Sequence, residues 1–363
     1  MKRINTVLSG SCFIVLLILL VPLQDSAAES VVLANNVSEF TVLNDTEVLY
    51  CDSDVNFFIV STQPPYETRS WDPGWDPTDS GWEYAGTLRY LFASPDGEWV
   101  CFARFVLIPE NVLLPDEYVH SPYAVVIAPV HGTTAWLAAL AQEVGGGPNF
   151  DFTMDSMNLY GQPFVSSETT LEGYLADCRG DPDREIVEAF SVINLLSGER
   201  TGGGLPLNDG FLACPYSDLV AVNDYSLEMI VDMSLEKIVL RNNSGQYRFE
   251  VEKWVSEDAI LLDDDGEQCL LYADGTVVFN PGENNITVYC CMPDGKYVFS
   301  TDGGSTMLYG SIDWESFSPD SAVPMSVIGD NLSTWDKILP MADGSGIVFF
   351  SHQLNGLLFH PCP

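Results

Sequence analysis

The sequence predicts an all-β protein with the architecture of a β-propeller, in which four-stranded sheets form blades around an axis. Two observations support this prediction: short apolar runs separated by Asp-Gly turns, and the recurrence of one such turn along the chain. A repeat of about 40 to 60 residues is typical of propellers, because each sheet needs neighbours to cover its two faces. The length accommodates about six or seven blades, and the alternative is a β-sandwich-like protein with several sheets.

The strongest turn signals lie between residues 268 and 313, in the run "QCLLYADGTVVFNPGENNITVYCCMPDGKYVFSTDGGSTMLYGSID". Asp274-Gly275 and Asp294-Gly295 stand between runs of β-branched and aromatic residues. Asp-Gly pairs in this setting favour tight hairpins. We therefore expect a meander of five short strands in this region.

One turn pattern recurs along the chain. "ASPDGEWVCF" (93–102) matches "CMPDGKYVFS" (291–300), while 272–279 and 341–350 keep the Asp-Gly pair without the proline. Fainter matches lie at 152–161, 213–222 and 253–262. The two clear copies resemble the WD40-like (PD40) propeller repeat of the TolB type. This resemblance implies a propeller that acts as a non-catalytic interaction platform.

Two segments predict helices inserted into the propeller at about 130–200. Residues 133–147 combine a threonine start, the apolar residues Trp136, Leu137 and Leu140, and a glycine stop. Residues 181–198 begin with Asp181-Pro182, continue with apolar residues at helical spacing, and end at a glycine. Inserted helices would lie over one end of the disc.

Residues 1–28 are typical of a secretory signal peptide. Lys2 and Arg3 precede the apolar run Phe13 to Leu23, and a small-residue cleavage site follows at 26–28. No other stretch approaches the ~20 apolar residues of a transmembrane helix. We expect a propeller domain over 29–363, without a transmembrane segment after signal cleavage, located outside the cytoplasm as a secreted or periplasmic protein.

The net charge of −38 excludes one class of partner. Phosphate binding depends on Lys and Arg displacing counterions, so this surface repels nucleic acid. We expect a protein or glycan partner and no nucleic acid.

The cysteines predict disulfides, because an even number remains after signal cleavage in an exported chain. Their pairing is left open, although neighbouring strand residues face opposite sides, so the adjacent pair 290/291 is expected to bond to different partners. The eight residues are Cys51, Cys101, Cys178, Cys214, Cys269, Cys290, Cys291 and Cys362.

The most distinctive binding candidate is the loop "SWDPGWDPTDSGWEY" (70–84). Proline and glycine oppose regular structure there, and exposed indole faces stack on sugars or on partner side chains. The predicted ligand-binding residues are Trp71, Asp72, Trp75, Asp76 and Trp82. The alternative is that the rings fold back over a neighbouring sheet.

Catalytic and metal signals are weaker. No serine-hydrolase elbow, zinc-protease motif or phosphate-binding loop is present, so no catalytic residue and no organic cofactor is assigned. Acidic residues 263–267 suggest calcium through Asp263, Asp265 and Glu267, and Asp52 with Asp54 suggests a second cluster, although calcium needs about six to eight oxygen ligands. We favour a non-catalytic platform; the alternative is a secreted carbohydrate hydrolase with paired carboxylates.

Overall fold

The computed structural model describes residues 29–75, 83–107, 123–132, 135–141, 150–161, 189–198, 200–206, 211–224, 226–234, 237–242, 250–264, 267–282, 285–301, 306–325 and 337–363. These residues form β-strands and turns, and no helix occurs among them. The strands make seven four-stranded antiparallel sheets, which are the blades of a propeller. Among the described residues, no helix has the length and apolar character needed to cross a membrane.

The first strand of the described residues is β1 (Val31–Asn35). Blade 1 contains β2 (Val37–Val42), β3 (Glu47–Asp52), β4 (Phe57–Ser61) and β5 (Thr68–Trp71). Blade 2 contains β6 (Glu83–Ala93), β7 (Trp99–Leu107), β8 (Tyr123–Pro129) and β9 (Trp136–Ala141). Blade 3 contains β10 (Phe150–Phe152), β11 (Asn158–Gly161), β12 (Ala189–Asn194) and β13 (Arg200–Pro206).

Blade 4 contains β14 (Phe211–Ala213), β15 (Leu219–Asp224), β16 (Ser226–Asp232) and β17 (Lys237–Arg241). Blade 5 contains β18 (Glu250–Trp254), β19 (Ala259–Asp264), β20 (Glu267–Tyr272) and β21 (Val277–Phe279). Blade 6 contains β22 (Thr287–Cys291), β23 (Tyr297–Ser300), β24 (Leu308–Asp313) and β25 (Ser318–Pro324). Blade 7 contains β26 (Ile338–Pro340), β27 (Gly346–Ser351) and β28 (Gly356–Pro361), and β1 completes it.

Seven clusters of buried apolar side chains hold the blades together, one between each pair of neighbours. Between blades 1 and 2, for example, the rings of Phe57 and Phe102 lie 5.1 Å apart. Successive strand residues point to opposite faces, so both faces of each blade contribute to a cluster. The predicted propeller is therefore confirmed, and the number of blades is seven.

Blade 7 combines the first described strand with the last three. Strand β1 pairs with β28, with Val31 opposite Phe359. Ala34 of β1 is buried in the cluster between blades 7 and 1. The first strand of the chain is thus the outermost strand of the last blade.

The recurring turn joins the first and second strands of blades 2 to 7. In blade 2 the Ser94 hydroxyl donates to Asp96 (2.5 Å), and the Gly97 N–H donates to the Ser94 carbonyl (2.8 Å). Blade 3 repeats this geometry with Thr153 donating to Asp155 (2.6 Å). The weaker matches at 152–161, 213–222 and 253–262 are the same turn in blades 3, 4 and 5, and the five strands expected within 268–313 are β20 to β24.

One proposed copy of the repeat is wrong. The Asp274-Gly275 turn joins β20 to β21, the third and fourth strands of blade 5, and so differs from the recurring turn. Any tight hairpin accepts an Asp-Gly pair, because glycine adopts the left-handed backbone that such turns need. The dipeptide therefore predicts a hairpin without indicating which one.

The helices predicted at 133–147 and 181–198 are wrong wherever the structure describes them. Residues 136–141 form β9, and residues 189–194 form β12. Leu137 packs between blades 1 and 2, while Trp136 packs between blades 2 and 3, which is the alternation of a strand. A strand with two buried faces is apolar throughout, so its sequence does not distinguish it from a buried helix. The remainder of the two predicted helices lies outside the described residues.

The disulfide prediction is wrong for every cysteine that the structure describes. Residues 51, 101, 214, 269, 290, 291 and 362 are free thiols. Cys290 packs between blades 6 and 7 and Cys291 between blades 5 and 6, so the expected opposite orientation is confirmed. These cysteines serve as small apolar core residues, and burial raises the pKa of Cys51 to about 12. Cys178 and residues 1–28 lie outside the described residues.

Candidate functional site

The Trp-Asp-Pro loop begins at the end of β5, the outermost strand of blade 1. Trp71 lies opposite Phe57 in the sheet, and the two rings meet edge to face with centroids 5.5 Å apart. The Trp71 Nε1–H donates to the carbonyl of Val130 in blade 2 (3.0 Å). Trp71 is therefore held by both blades and is partly buried.

A tight turn follows Trp71. The Asp72 carboxylate accepts the N–H of Gly74 (2.8 Å), and Gly74 has a φ of +73°. The chain thereby turns back, and Trp75 packs against the cluster between blades 1 and 2. Asp76 and Trp82 lie outside the described residues, so the structure places three of the five predicted residues.

These three residues line a cleft of about 350 Å³ beside the seam between blades 1 and 2. Its lining combines aromatic rings from both blades with the guanidinium-bearing side chain of Arg104. The full set is Val55, Asn56, Phe57, Phe58, Ser70, Trp71, Asp72, Pro73, Trp75, Phe102 and Arg104. Trp71 and Trp75 thus pack on the sheet and also border this cleft, and ligand binding by the loop stays a prediction.

Sequence reasoning missed Arg104, Phe102 and Asn56. Phe102 and Arg104 are two residues apart in β7 and face blade 1 together. The available signal is an arginine that directly follows the buried strand residues Cys101, Phe102 and Ala103 in a chain with few basic residues. The sequence around Arg104 does not show that its side chain faces blade 1, because this depends on which blades are neighbours in the propeller.

A second cleft, of about 270 Å³, lies between blades 7 and 1. Lys337 donates to Glu39 (3.2 Å) and to the carbonyl of Leu91 (2.9 Å), so it links blades 7, 1 and 2. Its ammonium group also lies 5.3 Å from the centre of the Phe40 ring. His352 completes the polar lining. No sequence signal had singled out these residues.

Two carboxylates on innermost strands have unusual acidity. Burial raises the pKa of Asp151 in blade 3 and of Glu252 in blade 5 to about 7, and the nearby Asp263 adds to the effect at Glu252. The Gln268 amide donates to Glu252 (3.2 Å) and also bonds the backbone N–H and carbonyl of Ile286. Gln268 is thus held in place by Ile286, which precedes the first strand of blade 6, and it fixes the hydrogen bond to Glu252.

Neither cleft supports the paired-carboxylate alternative. In the described part of the chain, Asp72 is the one carboxylate of the first cleft and Glu39 that of the second. Glycoside hydrolysis generally needs two carboxyl groups flanking the bond that is cleaved. Asp151 and Glu252 belong to different blades and line neither cleft.

The calcium prediction is only partly covered by the structure. Asp263 lies in β19 and Glu267 in β20, while Asp265 is outside the described residues. Among the described side chains, no group of three or more His, Cys, Asp or Glu residues is arranged to hold a metal ion. In the second acidic cluster, Asp52 accepts the backbone N–H groups of Asp54 (2.9 Å) and Asn56 (2.8 Å), so its carboxylate stabilises its own turn.

Comparison with solved structures identifies the kind of propeller. U3-55K matches with a TM-score of 0.53 and 10% identity, covering 92% of this chain and 98% of that chain. The WD40 repeats of RRP9 match with a TM-score of 0.54 and 10% identity, covering 92% and 97%. The β-propeller domain of Cps50 (Swd1) from Myceliophteria thermophila matches with a TM-score of 0.51 and 7% identity, covering 91% and 96%.

These likenesses show a WD40-type seven-bladed propeller fold. No protein-family model matches the sequence, and no curated protein matches it either. The resemblance to the TolB-type repeat therefore stays a prediction from the sequence.

Proposed function

We propose that this propeller is a non-catalytic binding platform, and that a partner protein inserts a side chain into the cleft beside Trp71 and Trp75. The cleft itself carries the proposal, because aromatic side chains from two blades border an open volume of about 350 Å³. Propellers of the WD40 type, whose fold this chain shares, commonly serve as protein-binding platforms.

The cleft is held in shape before any partner arrives. The hydrogen bond from Trp71 to Val130 fixes one wall, and the Asp72–Gly74 turn directs Trp75 toward the other side. Aromatic residues provide a large contact area and have few rotatable bonds to immobilise. Little ordering cost is then left for binding, which favours affinity.

Arg104 gives the cleft a polar function. A guanidinium presents several N–H donors in one plane, which suits a backbone carbonyl or a carboxylate of a bound peptide. Phe57 and Phe102 beside it provide the apolar part of the lining. A peptide segment with one apolar side chain and an adjacent acceptor fits this combination.

The proposal includes export, for which residues 1–28 are the sequence support. N-terminal sequencing of the protein recovered outside the cytoplasm checks this point. A mature chain that begins at Glu29 supports export, and a chain that keeps Met1 in the cytoplasm contradicts it.

The binding proposal is tested with two cleft variants and one matched control. Trp75→Ala removes one wall of the cleft, whereas Trp71→Phe keeps a ring and loses only the bond to Val130. Phe279→Ala is the control, because Phe279 is 62% exposed on blade 5, away from the cleft. Each variant is first compared with the unaltered chain by its melting temperature, to establish that it folds.

The unaltered chain is then used to capture and identify a partner from native extract, and the purified partner is titrated calorimetrically against each variant. We expect Trp75→Ala to weaken binding about tenfold or more, with little change for Trp71→Phe and none for Phe279→Ala. Equal affinity for Trp75→Ala and the unaltered chain would exclude the cleft. Loss of binding after the partner is deglycosylated would identify a glycan as the ligand.

A further inference from the structure

A second surface lies where four turns of blades 2, 3 and 4 meet. The Asp96 N–H donates to Ser156 (3.1 Å), and the Met154 N–H donates to Asp218 (2.8 Å). The Leu195 N–H donates to the Met157 carbonyl (2.9 Å). These three bonds join the turns 94–98, 153–157, 195–198 and 214–218 into one rigid surface.

Blade 3 exposes three large apolar side chains on this surface, which we name the blade 3 patch. Met154 is 38% exposed, Met157 41% and Leu196 72%. Apolar side chains that are exposed together on neighbouring turns mark an interaction site more often than single ones do. Methionine is unbranched and polarizable, so it adapts to varied partner surfaces.

The other blades show that the fold does not require these residues. Met157 directly precedes the second strand of blade 3, and the equivalent residues of the other blades are all polar: Thr46, Glu98, Asp218, Asp258, Lys296 and Ser345. Leu196 is the second residue after the third strand, where the other blades have Gln63, His131, Ser234, Asp274, Glu315 and Pro363. Blade 3 thus departs from six equivalent examples in the same molecule.

The surroundings of the patch define the charge of its partner. The four turns contain Asp96, Glu98, Asp155 and Asp218, and no lysine, arginine or histidine. Asp96 and Asp155 use one carboxylate oxygen to cap their own turns, which keeps the negative charge at the surface. An apolar patch with an acidic rim complements a segment that carries both apolar and basic side chains.

We infer that the blade 3 patch binds a basic amphipathic peptide segment of another protein, at a site separate from the Trp71–Trp75 cleft. The apolar side chains of the segment contact Met154, Met157 and Leu196. Its lysine or arginine side chains pair with the surrounding carboxylates. The patch therefore gives the propeller a second contact surface on blades 2 to 4.

The test uses a synthetic helical peptide of leucine and lysine, with leucine at a spacing of three and four residues. Its control has glutamate in place of each lysine. The labelled peptides are titrated with the full chain by fluorescence anisotropy at low and high salt. The patch variant is Met157→Ser with Leu196→Ser, and its control is Val323→Ser with Leu354→Ser, because these two residues are each 41% exposed elsewhere.

We expect the lysine peptide to bind the unaltered chain and the glutamate peptide not to bind. The patch variant should bind the lysine peptide about tenfold more weakly, while the control variant should keep full affinity. Equal binding by the patch variant would show general attraction to an acidic protein and would overturn the inference. Absence of binding by the unaltered chain would overturn it too.

Two further variants sharpen the result. The Glu98 side chain has no hydrogen-bond partner among the described residues, so Glu98→Lys reverses a charge of the rim without altering a turn. This variant should bind the lysine peptide more weakly and with a smaller salt dependence. Trp75→Ala should leave the affinity unchanged, and a loss of binding in that variant would place the peptide in the cleft instead.

Discussion

At the scale of single residues, Gly97 shows how closely neighbouring blades approach. Its backbone has a φ of +71°, in the left-handed region that favours glycine. A Cβ at this position would lie 2.0 Å from the carbonyl oxygen of Leu43 in blade 1. The glycine of the recurring turn therefore serves the turn and the contact between blades at once.

The two roles of Gly97, in the turn and in the contact between blades, can be separated by comparing Gly97→Ala with Gly295→Ala. Gly295 occupies the same turn in blade 6 with a φ of +80°, but no atom lies within 4 Å of a Cβ built there. Gly295→Ala should lower the free energy of unfolding by about 1 kcal/mol, through backbone strain alone. Gly97→Ala should lower it by about 3 kcal/mol, because the clash with Leu43 adds to the strain.

Urea denaturation of both variants measures this difference. Equal losses in the two variants would mean that blade 1 moves away from residue 97 at no cost, contrary to the close contact between the two blades.

At the scale of strands and turns, sequence patterns predicted the elements that are bounded by tight turns. Asp-Gly pairs predict the hairpins β20–β21 and β22–β23, because such a pair specifies a tight reversal between two strands. Strands β9 and β12 were predicted as helices, because residues on both of their faces are apolar and buried. In a short apolar run, the spacing of apolar residues does not distinguish a buried strand from a buried helix.

The same reasoning explains how much of the site was predicted. Trp71, Asp72 and Trp75 stand out because the sequence Trp-Asp-Pro occurs twice in one loop. Arg104 completes their cleft from another blade, and its position depends on the neighbouring order of blades 1 and 2. The local sequence is enough to single out the loop residues. That Arg104 lies beside them can be seen only in the assembled propeller.

Strand β1 provides a test of how the ring closes. Ala34 is 8% exposed between blades 7 and 1, whereas Val32 in the same strand is 46% exposed. Ala34→Asp should lower the free energy of unfolding by about 2 to 4 kcal/mol, because it buries a carboxylate in an apolar seam. Val32→Asp should change it by no more than about 0.5 kcal/mol.

Thermal unfolding of the two variants compares them directly. If both substitutions were equally tolerated, β1 would contribute little to the native ring, and its pairing with β28 would not be the closure of the propeller.

At the scale of the whole molecule, the acidic composition makes stability depend on pH. Asp151 and Glu252 have a folded-state pKa of about 7, above their ordinary values of 3.8 and 4.5. Their contribution to stability is therefore complete below about pH 4 and is lost as the pH rises through 7. Ionisation also adds to the repulsion of a chain whose net charge is −38.

We expect the free energy of unfolding to fall between about pH 4 and pH 7, by up to ~1.4 kcal/mol per pH unit for each proton released. Burial lowers the pKa of His360, which acts in the opposite direction at the acidic end of this range. Urea unfolding of Glu252→Gln beside the unaltered chain isolates one carboxylate. The variant should show a shallower decline, and an identical decline would show that Glu252 ionises normally in the folded chain.

The pairing of β1 with β28 also has a consequence for the order of assembly. The Ser30 hydroxyl lies 2.9 Å from Nδ1 of His360, although the two residues are 330 positions apart. During synthesis, blades 1 to 6 can each form from consecutive residues, but blade 7 must wait until β28 (Gly356–Pro361) has been made. Such a long-range contact is a slow step in folding, although the entropy of closing a loop grows only with the logarithm of its length. Until that step is complete, the apolar faces of blades 1 and 7 stay open to solvent, and the growing chain is most exposed to aggregation.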